Sequence, residues 1–209
     1  MLLWEVGRPT ARRVPIDGRG VRLGRPRIAG GFALLALLLV GCGEEKKAEP
    51  TPLWSDPAAP PIRLIPSAER ADAPEIEGEN LTGARWRLSE QLGSVVLIDF
   101  WATWCGPCRK SIPHLVDLQN RMGPKGLVVV GISLDNWGKP VVEPFARQSG
   151  INYPILIDPE GRLAALLGGV TSIPVLFLVD PEGRIAAKIV GYGPPESIER
   201  AVELLLTDG

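Results

Sequence analysis

Cys105 and Cys108 stand three positions apart in the run Phe100-Trp101-Ala102-Thr103-Trp104-Cys105-Gly106-Pro107-Cys108. On the first turn of a helix, two thiols at that spacing reach each other and close a disulfide. A helix N-terminus also offers unpaired N–H groups and the positive end of its dipole, which favour a thiolate on the first Cys. The chemistry this supports is thiol–disulfide exchange: an accessible thiolate attacks, and a second thiol resolves the mixed disulfide. Two other uses of the pair compete. A zinc site needs two more ligands, and beyond carboxylates only His114 is left to supply one. A purely structural disulfide across so short a loop adds little stability.

The elements around the pair follow from local pattern. Val95 to Phe100 is a continuous apolar run of strand length, broken by Asp99, and predicts a buried strand leading into the motif. Cys105 to Met122 carries Leu115, Leu118 and Met122 at helical spacing, with Pro113 expected to kink it. A carboxylate inside a buried strand is costly, so the pKa of Asp99 is expected to rise; the competing reading is a solvated strand residue. His114 reads as a helix-surface or packing residue.

Further along, Leu127 to Ile132 predicts a second buried strand, Pro140 to Gln148 a helix, Ile155 to Ile157 a short strand and Arg162 to Leu167 a short helix. Pro174 to Val179 and Arg184 to Val190 predict a hairpin across the Asp180-Pro181-Glu182-Gly183 turn, and Glu196 to Leu206 a closing amphipathic helix. Before the motif, Leu81 to Leu88 predicts a small N-terminal hairpin turning at Gly83. The order is β-α-β, an inserted α-β-α, then β-β-α. That is an α/β domain with a mixed central sheet and helices on both faces, over residues 73–209.

Composition bounds the rest. The chain has 209 residues, a net charge of −1, 45% hydrophobic and 22% charged residues, which excludes a disordered chain and a basic nucleic-acid binder. No phosphate-binding loop is present. Charge is uneven: residues 1–41 hold seven Arg and two acids, whereas residues 42–209 hold 16 basic and 22 acidic residues. A basic leader before an acidic body suits an exported protein. The apolar run Ile28 to Val40 is too short to span a bilayer comfortably and fits the core of a signal peptide over residues 1–41. It ends Leu39-Val40-Gly41-Cys42, which resembles the bacterial lipobox; that resemblance implies lipidation at Cys42 and a lipid anchor on the extracytoplasmic side of a membrane. A signal anchor, or a plain signal peptide with a chance Cys, competes. Residues 42–72 are Pro-rich without apolar periodicity and read as a tether, although Trp54 and Ile62 to Ile65 are odd for a pure spacer.

With these residues in view, the chain resembles the thioredoxin superfamily, and more narrowly the membrane-tethered TlpA/ResA-type thiol–disulfide oxidoreductases, over Ala73 to Gly209. Trp-Cys-Gly-Pro-Cys carries the resemblance, with the insert near residues 138–168 and Thr171-Ser172-Ile173-Pro174, which resembles the family's cis-proline loop. The resemblance implies a thioredoxin fold in which Cys105 attacks, Cys108 resolves and Asp99 accepts a proton. It implies further that Trp104, Gly106, Pro107, Ile173 and Pro174 meet the substrate chain, with no cofactor beyond the redox-active pair and no metal. It implies partners that are protein thiols and disulfides, an upstream membrane electron donor, and cytochrome c maturation as one pathway, with apocytochrome c as substrate. Ser111 departs from the pattern, since many relatives carry Glu there and Asn in place of Asp99. Two other functions compete: a peroxiredoxin-type thiol peroxidase, which lacks its Thr-x-x-Cys site here, and a non-enzymatic metal-binding lipoprotein.

Overall fold

The computed structural model describes residues 62–208. The leader, Cys42 and Trp54 lie outside the described residues. The chain first makes a two-stranded antiparallel hairpin, β1 (Glu77–Glu79) and β2 (Arg85–Arg87). Its first arm lies earlier than the sequence suggests, and Leu81 and Thr82 belong to the turn. The reason is Asn80, whose side-chain oxygen accepts from the N–H groups of Thr82 (2.9 Å) and Ala84 (3.1 Å) and from the Thr82 hydroxyl (2.7 Å). An Asn that bonds the backbone ahead of it builds a turn, and Gly83 completes it at φ +86°.

Next come β3 (Val95–Trp101), α1 (Gly106–Met122), β4 (Leu127–Ser133), α2 (Lys139–Gln148), β5 (Ile155–Ile157), α3 (Arg162–Leu166), β6 (Val175–Val179), β7 (Ile185–Val190) and α4 (Pro195–Thr207). The sheet order is β5-β4-β3-β6-β7. β3 pairs parallel with β4 and antiparallel with β6; β4–β5 is parallel and β6–β7 antiparallel. The mixed thioredoxin-type sheet expected from the sequence is the one observed. β3 and β4 lack hydrophobic alternation because both faces of each are covered, and every residue of β3 is buried.

Alternate residues of β3 divide the core. Val95 and Leu97 pack with Leu115, Leu118 and Met122 of α1 and with Ile198, Val202 and Leu205 of α4. Toward the end of the strand, on the same face, Trp101 packs with Val142 and Ala146 of α2. Val96, Ile98 and Phe100 face the other way, onto Phe177, Ala164 and the hairpin residue Trp86. Helices therefore lie on both faces, but the second face is covered by the five-residue α3 and the N-terminal hairpin. α1 runs on through Pro113.

Residues 62–72, which composition assigns to a tether, are bound along β7. The Ile65 N–H donates to the Ala186 carbonyl and the Ile185 N–H to the Ala71 carbonyl, both at 2.8 Å. The Arg70 guanidinium meets the buried Asp180 carboxylate at 3.0 Å. Ile62 and Leu64 pack against the α1–α4 side of the core. On the opposite side of the sheet, Asn80 bridges to Leu156 of β5. Among the described residues, no helix is long and apolar enough to cross a membrane.

Candidate active site

β3 ends at Trp101 and α1 begins at Gly106, so the chain must turn within four residues at the carboxyl end of a central strand. α/β folds place their sites at that end. Cys105 is the N-cap of α1, at φ −79° and ψ 106°, and its Sγ accepts from the Cys108 N–H at 3.2 Å. Sulfur here occupies the capping position usually filled by a side-chain oxygen. Pro107, in the first turn, suits a helix start because its missing N–H would have had no partner. Cys105 and Cys108 form a disulfide, with Cα atoms 5.3 Å apart. Cys105 keeps a sliver of exposure and Cys108 none. An incoming sulfur therefore reaches Cys105 first. When the bond opens, the thiolate on Cys105 sits on a helix N-terminus that favours it.

The Ile173–Pro174 peptide bond is cis. The Ile173 carbonyl oxygen lies 3.8 Å from Cys105 Sγ, so this loop stands beside the attacking sulfur. Trp104, Gly106 and Pro107, next to Cys105 in the chain, are exposed, Trp104 by 69%. The structure thus sets Ile173 beside the Cys105 sulfur, leaves Trp104, Gly106 and Pro107 exposed, and buries Pro174.

Asp99 is fully buried, and neither carboxylate oxygen has a hydrogen-bond partner. Burial alone pushes its pKa up to about 7. In the strand alternation it falls between Leu97 and Trp101, on the face that carries α1. Ser111 is also buried, and its hydroxyl donates to the Cys108 carbonyl at 2.8 Å. His114 is half-buried, and burial pushes its pKa down.

Asp135 was not apparent from sequence. It is buried just beyond β4, where its carboxylate accepts from the Thr103 N–H (2.9 Å), the Thr103 hydroxyl (2.6 Å) and the Ser133 hydroxyl (2.8 Å). It ties the loop that carries Trp104 and Cys105 to the neighbouring strand. The available signal was an acid two residues past a buried strand, at the same end of the sheet as the cysteines. Trp137, 81% exposed, stands two residues further on.

The AhpC/TSA family model matches residues 70–188. The chain is 33% identical over 133 residues to the thiol–disulfide oxidoreductase ResA of Geobacillus kaustophilus, covering 63% of this chain and 74% of that protein. It is 30% identical over 110 residues to ResA of Bacillus subtilis, covering 53% and 60%. Among solved structures, a thiol:disulfide interchange protein of the thioredoxin family from Chlorobium tepidum superposes with a TM-score of 0.61 at 31% identity, over 68% of this chain and 99% of that one. The chain is thus matched both in sequence and in fold. The chain belongs to the AhpC/TSA family, as a thiol–disulfide oxidoreductase of the ResA type in the thioredoxin superfamily.

Proposed function

We propose that the protein is a lipid-anchored, extracytoplasmic reductant of protein disulfides. The observation that carries the redox part is the Cys105–Cys108 disulfide at the N-cap of α1, with Cys105 Sγ 3.8 Å from the Ile173 carbonyl. In the dithiol form, the Cys105 thiolate attacks a substrate disulfide. One substrate sulfur leaves as a thiolate, and a mixed disulfide forms on Cys105. Cys108 loses its proton to Asp99 and attacks Cys105 Sγ; the second substrate sulfur leaves and the Cys105–Cys108 bond closes. Two electrons have passed from the cysteine pair to the substrate, and an upstream thiol or membrane donor must return them. Asp99 suits proton transfer because burial brings its pKa near neutrality, where a base is most effective. Trp104, Gly106, Pro107, Ile173 and Pro174 bind the substrate backbone and flank its sulfur. Apocytochrome c is one candidate substrate.

The anchor rests on the sequence around Cys42, which ends the leader before a domain whose two other cysteines pair with each other. Cys42→Ala should abolish acylation and leave disulfide reduction unchanged.

The test of the exchange mechanism is trapping. Cys108→Ser removes the resolving thiol, so substrates should accumulate on Cys105 as mixed disulfides, visible on a non-reducing gel and lost on adding reductant. Trapping by Cys105→Ser and not by Cys108→Ser would reverse the two roles. A peroxidase reading needs Thr-x-x-Cys, and residues 102–105 read Ala-Thr-Trp-Cys. Peroxide consumption faster than disulfide reduction would overturn the present reading.

A further inference from the structure

Besides His114 of α1, three polar side chains on the α1 face of the sheet are buried without a hydrogen-bond partner. They are Asp99, through both oxygens, Trp101, through its indole N–H, and Tyr153, through its hydroxyl. The β3–β4 register sets Gly131 directly opposite Asp99. Both rings exploit the missing side chain there. A Cβ on Gly131 would stand 2.8 Å from Trp101 Nε1 and 3.4 Å from Tyr153 Cε2. The two rings therefore lie on the strand beside the acid.

Their chemistry is complementary. An indole N–H only donates, a phenol donates or accepts, and an ionised carboxylate only accepts. Two donors and one acceptor are thus buried around Gly131 with no protein partner. Buried polar groups held just out of reach are joined by internal water, which makes about three such bonds. Burial keeps the Tyr153 phenol protonated, and the charge it feels is that of Asp99. The other elements on this face bring Leu176 of β6, Leu115 of α1, and Ile198 and Val202 of α4, none of them charged, with Cys108 locked in the disulfide. His114 of α1 has Glu199, Asp117, Arg121 and Glu196 as its charged neighbours.

We propose that Tyr153 is a positioning residue for the exchange reaction: its hydroxyl, together with the Trp101 indole N–H, holds the ionised carboxylate of Asp99 through an internal water beside Gly131. Tyr153 thereby sets the pH at which Asp99 takes up a proton. Tyr153 also lines the surface groove formed with Asn80, Leu81 and Asn152. This assignment adds to the reading of Asp99 as proton acceptor, but its first test does not depend on that reading.

The experiment follows the Asp99 carboxyl carbon by NMR across pH 4 to 10 in the full chain, assigned by its loss in Asp99→Asn. Tyr153→Phe keeps the ring and removes the hydroxyl. The Asp99 midpoint should rise by about one unit, because a donor to the charged form has gone. Trp101→Phe should move it in the same direction. Raising the midpoint by one unit, toward the value of about 7 that burial alone sets, cuts the ionised fraction about five-fold at the wild-type midpoint, and the resolving step should slow by the same factor there and recover about two pH units above it. In an Asp99→Asn background, Tyr153→Phe should cost nothing further. An unmoved Asp99 titration in both variants, or an equal added loss in that background, overturns the proposal. A titration that moves while Asp99→Asn itself leaves the rate untouched upholds the hydroxyl–carboxylate link and overturns the proton-acceptor role of Asp99.

Discussion

Asp99 lies within β3 and Asp135 just past the end of the neighbouring β4, both buried, and their surroundings are opposite. Asp135 accepts three hydrogen bonds from Thr103 and Ser133. Asp99 accepts none from the protein, and its pKa climbs to about 7. The same side chain at the same depth becomes a brace in one place and a carboxyl poised near neutrality in the other. What separates them is the supply of donors: Asp135 lies where β4 ends and loop N–H and hydroxyl groups are free, whereas Asp99 lies mid-strand, where the backbone donors are spent on the ladder. Burial identifies neither role by itself; the partner count does.

The largest expected consequence is in stability against pH. Asp99 in the folded chain holds its proton up to about pH 7, against 3.8 for an ordinary carboxyl. Its folded pKa is raised, so the folded state binds more protons across this window, and the stability it contributes falls as pH rises from about 4 to about 7, then levels. The change totals about 4 kcal/mol. Asp99→Asn does not titrate, so its stability relative to wild type should improve by that amount between pH 4 and pH 9 in urea unfolding of the oxidised protein. A difference constant with pH would mean that Asp99 is not the poised acid and would erase the contrast with Asp135.

Somewhat smaller is the loss on removing the brace. Asp135→Ala leaves the Thr103 and Ser133 donors without their acceptor and should cost about 3 kcal/mol in the same assay. Turnover should fall with it, because the loop holding Trp104 and Cys105 is no longer tied to β4. If Asp135→Ala were as stable as wild type, its hydrogen bonds would be incidental and the comparison would lose one side.

In turnover, Asp99→Asn should slow the resolving step by about 10-fold to 1000-fold, the range of a positioned acid or base, with wild-type rates across pH 5 to 9 as the contrary result. The smallest effect tests whether any unpartnered acid near the pair suffices. Ser111 is buried one turn along α1 from Cys108. Ser111→Glu placed on Asp99→Asn should restore a few-fold of the lost rate, with a shifted pH optimum, since a carboxyl buried there also resists ionisation. No recovery at any pH would confine the role to the β3 position.

Much of this was legible in the residues. β3, β4 and α1 announce themselves because long apolar runs and helical spacing are local signals, and Cys105 and Cys108 carry their chemistry in their spacing. Asp99 stood out as a charge inside such a run. Asp135 did not, because its meaning depends on Thr103, 32 residues away in sequence. The first arm of the hairpin was misplaced because Asn80 builds its turn through side-chain bonds that composition does not reveal. Ile62 to Ile65 stood out as odd for a spacer, but the polar half of this docking was hidden for a related reason: Arg70 reads as one more polar residue of a Pro-rich stretch until Asp180, 110 residues later, comes beside it.

That last pairing has a consequence for how the molecules behave in company. β5 and β7 are the outermost strands of the sheet, and outermost strands invite other chains to add to them. Here part of each ladder is already taken by the protein's own N-terminal region, β7 through Ile65 and Ala71 and β5 through Asn80. A chain trimmed to begin at Ala73 would lose the Arg70–Asp180 contact and lay β7 open. Such a chain would still hold the disulfide and its surroundings, yet it should self-associate and precipitate as its concentration rises, where the longer chain stays monomeric in light scattering.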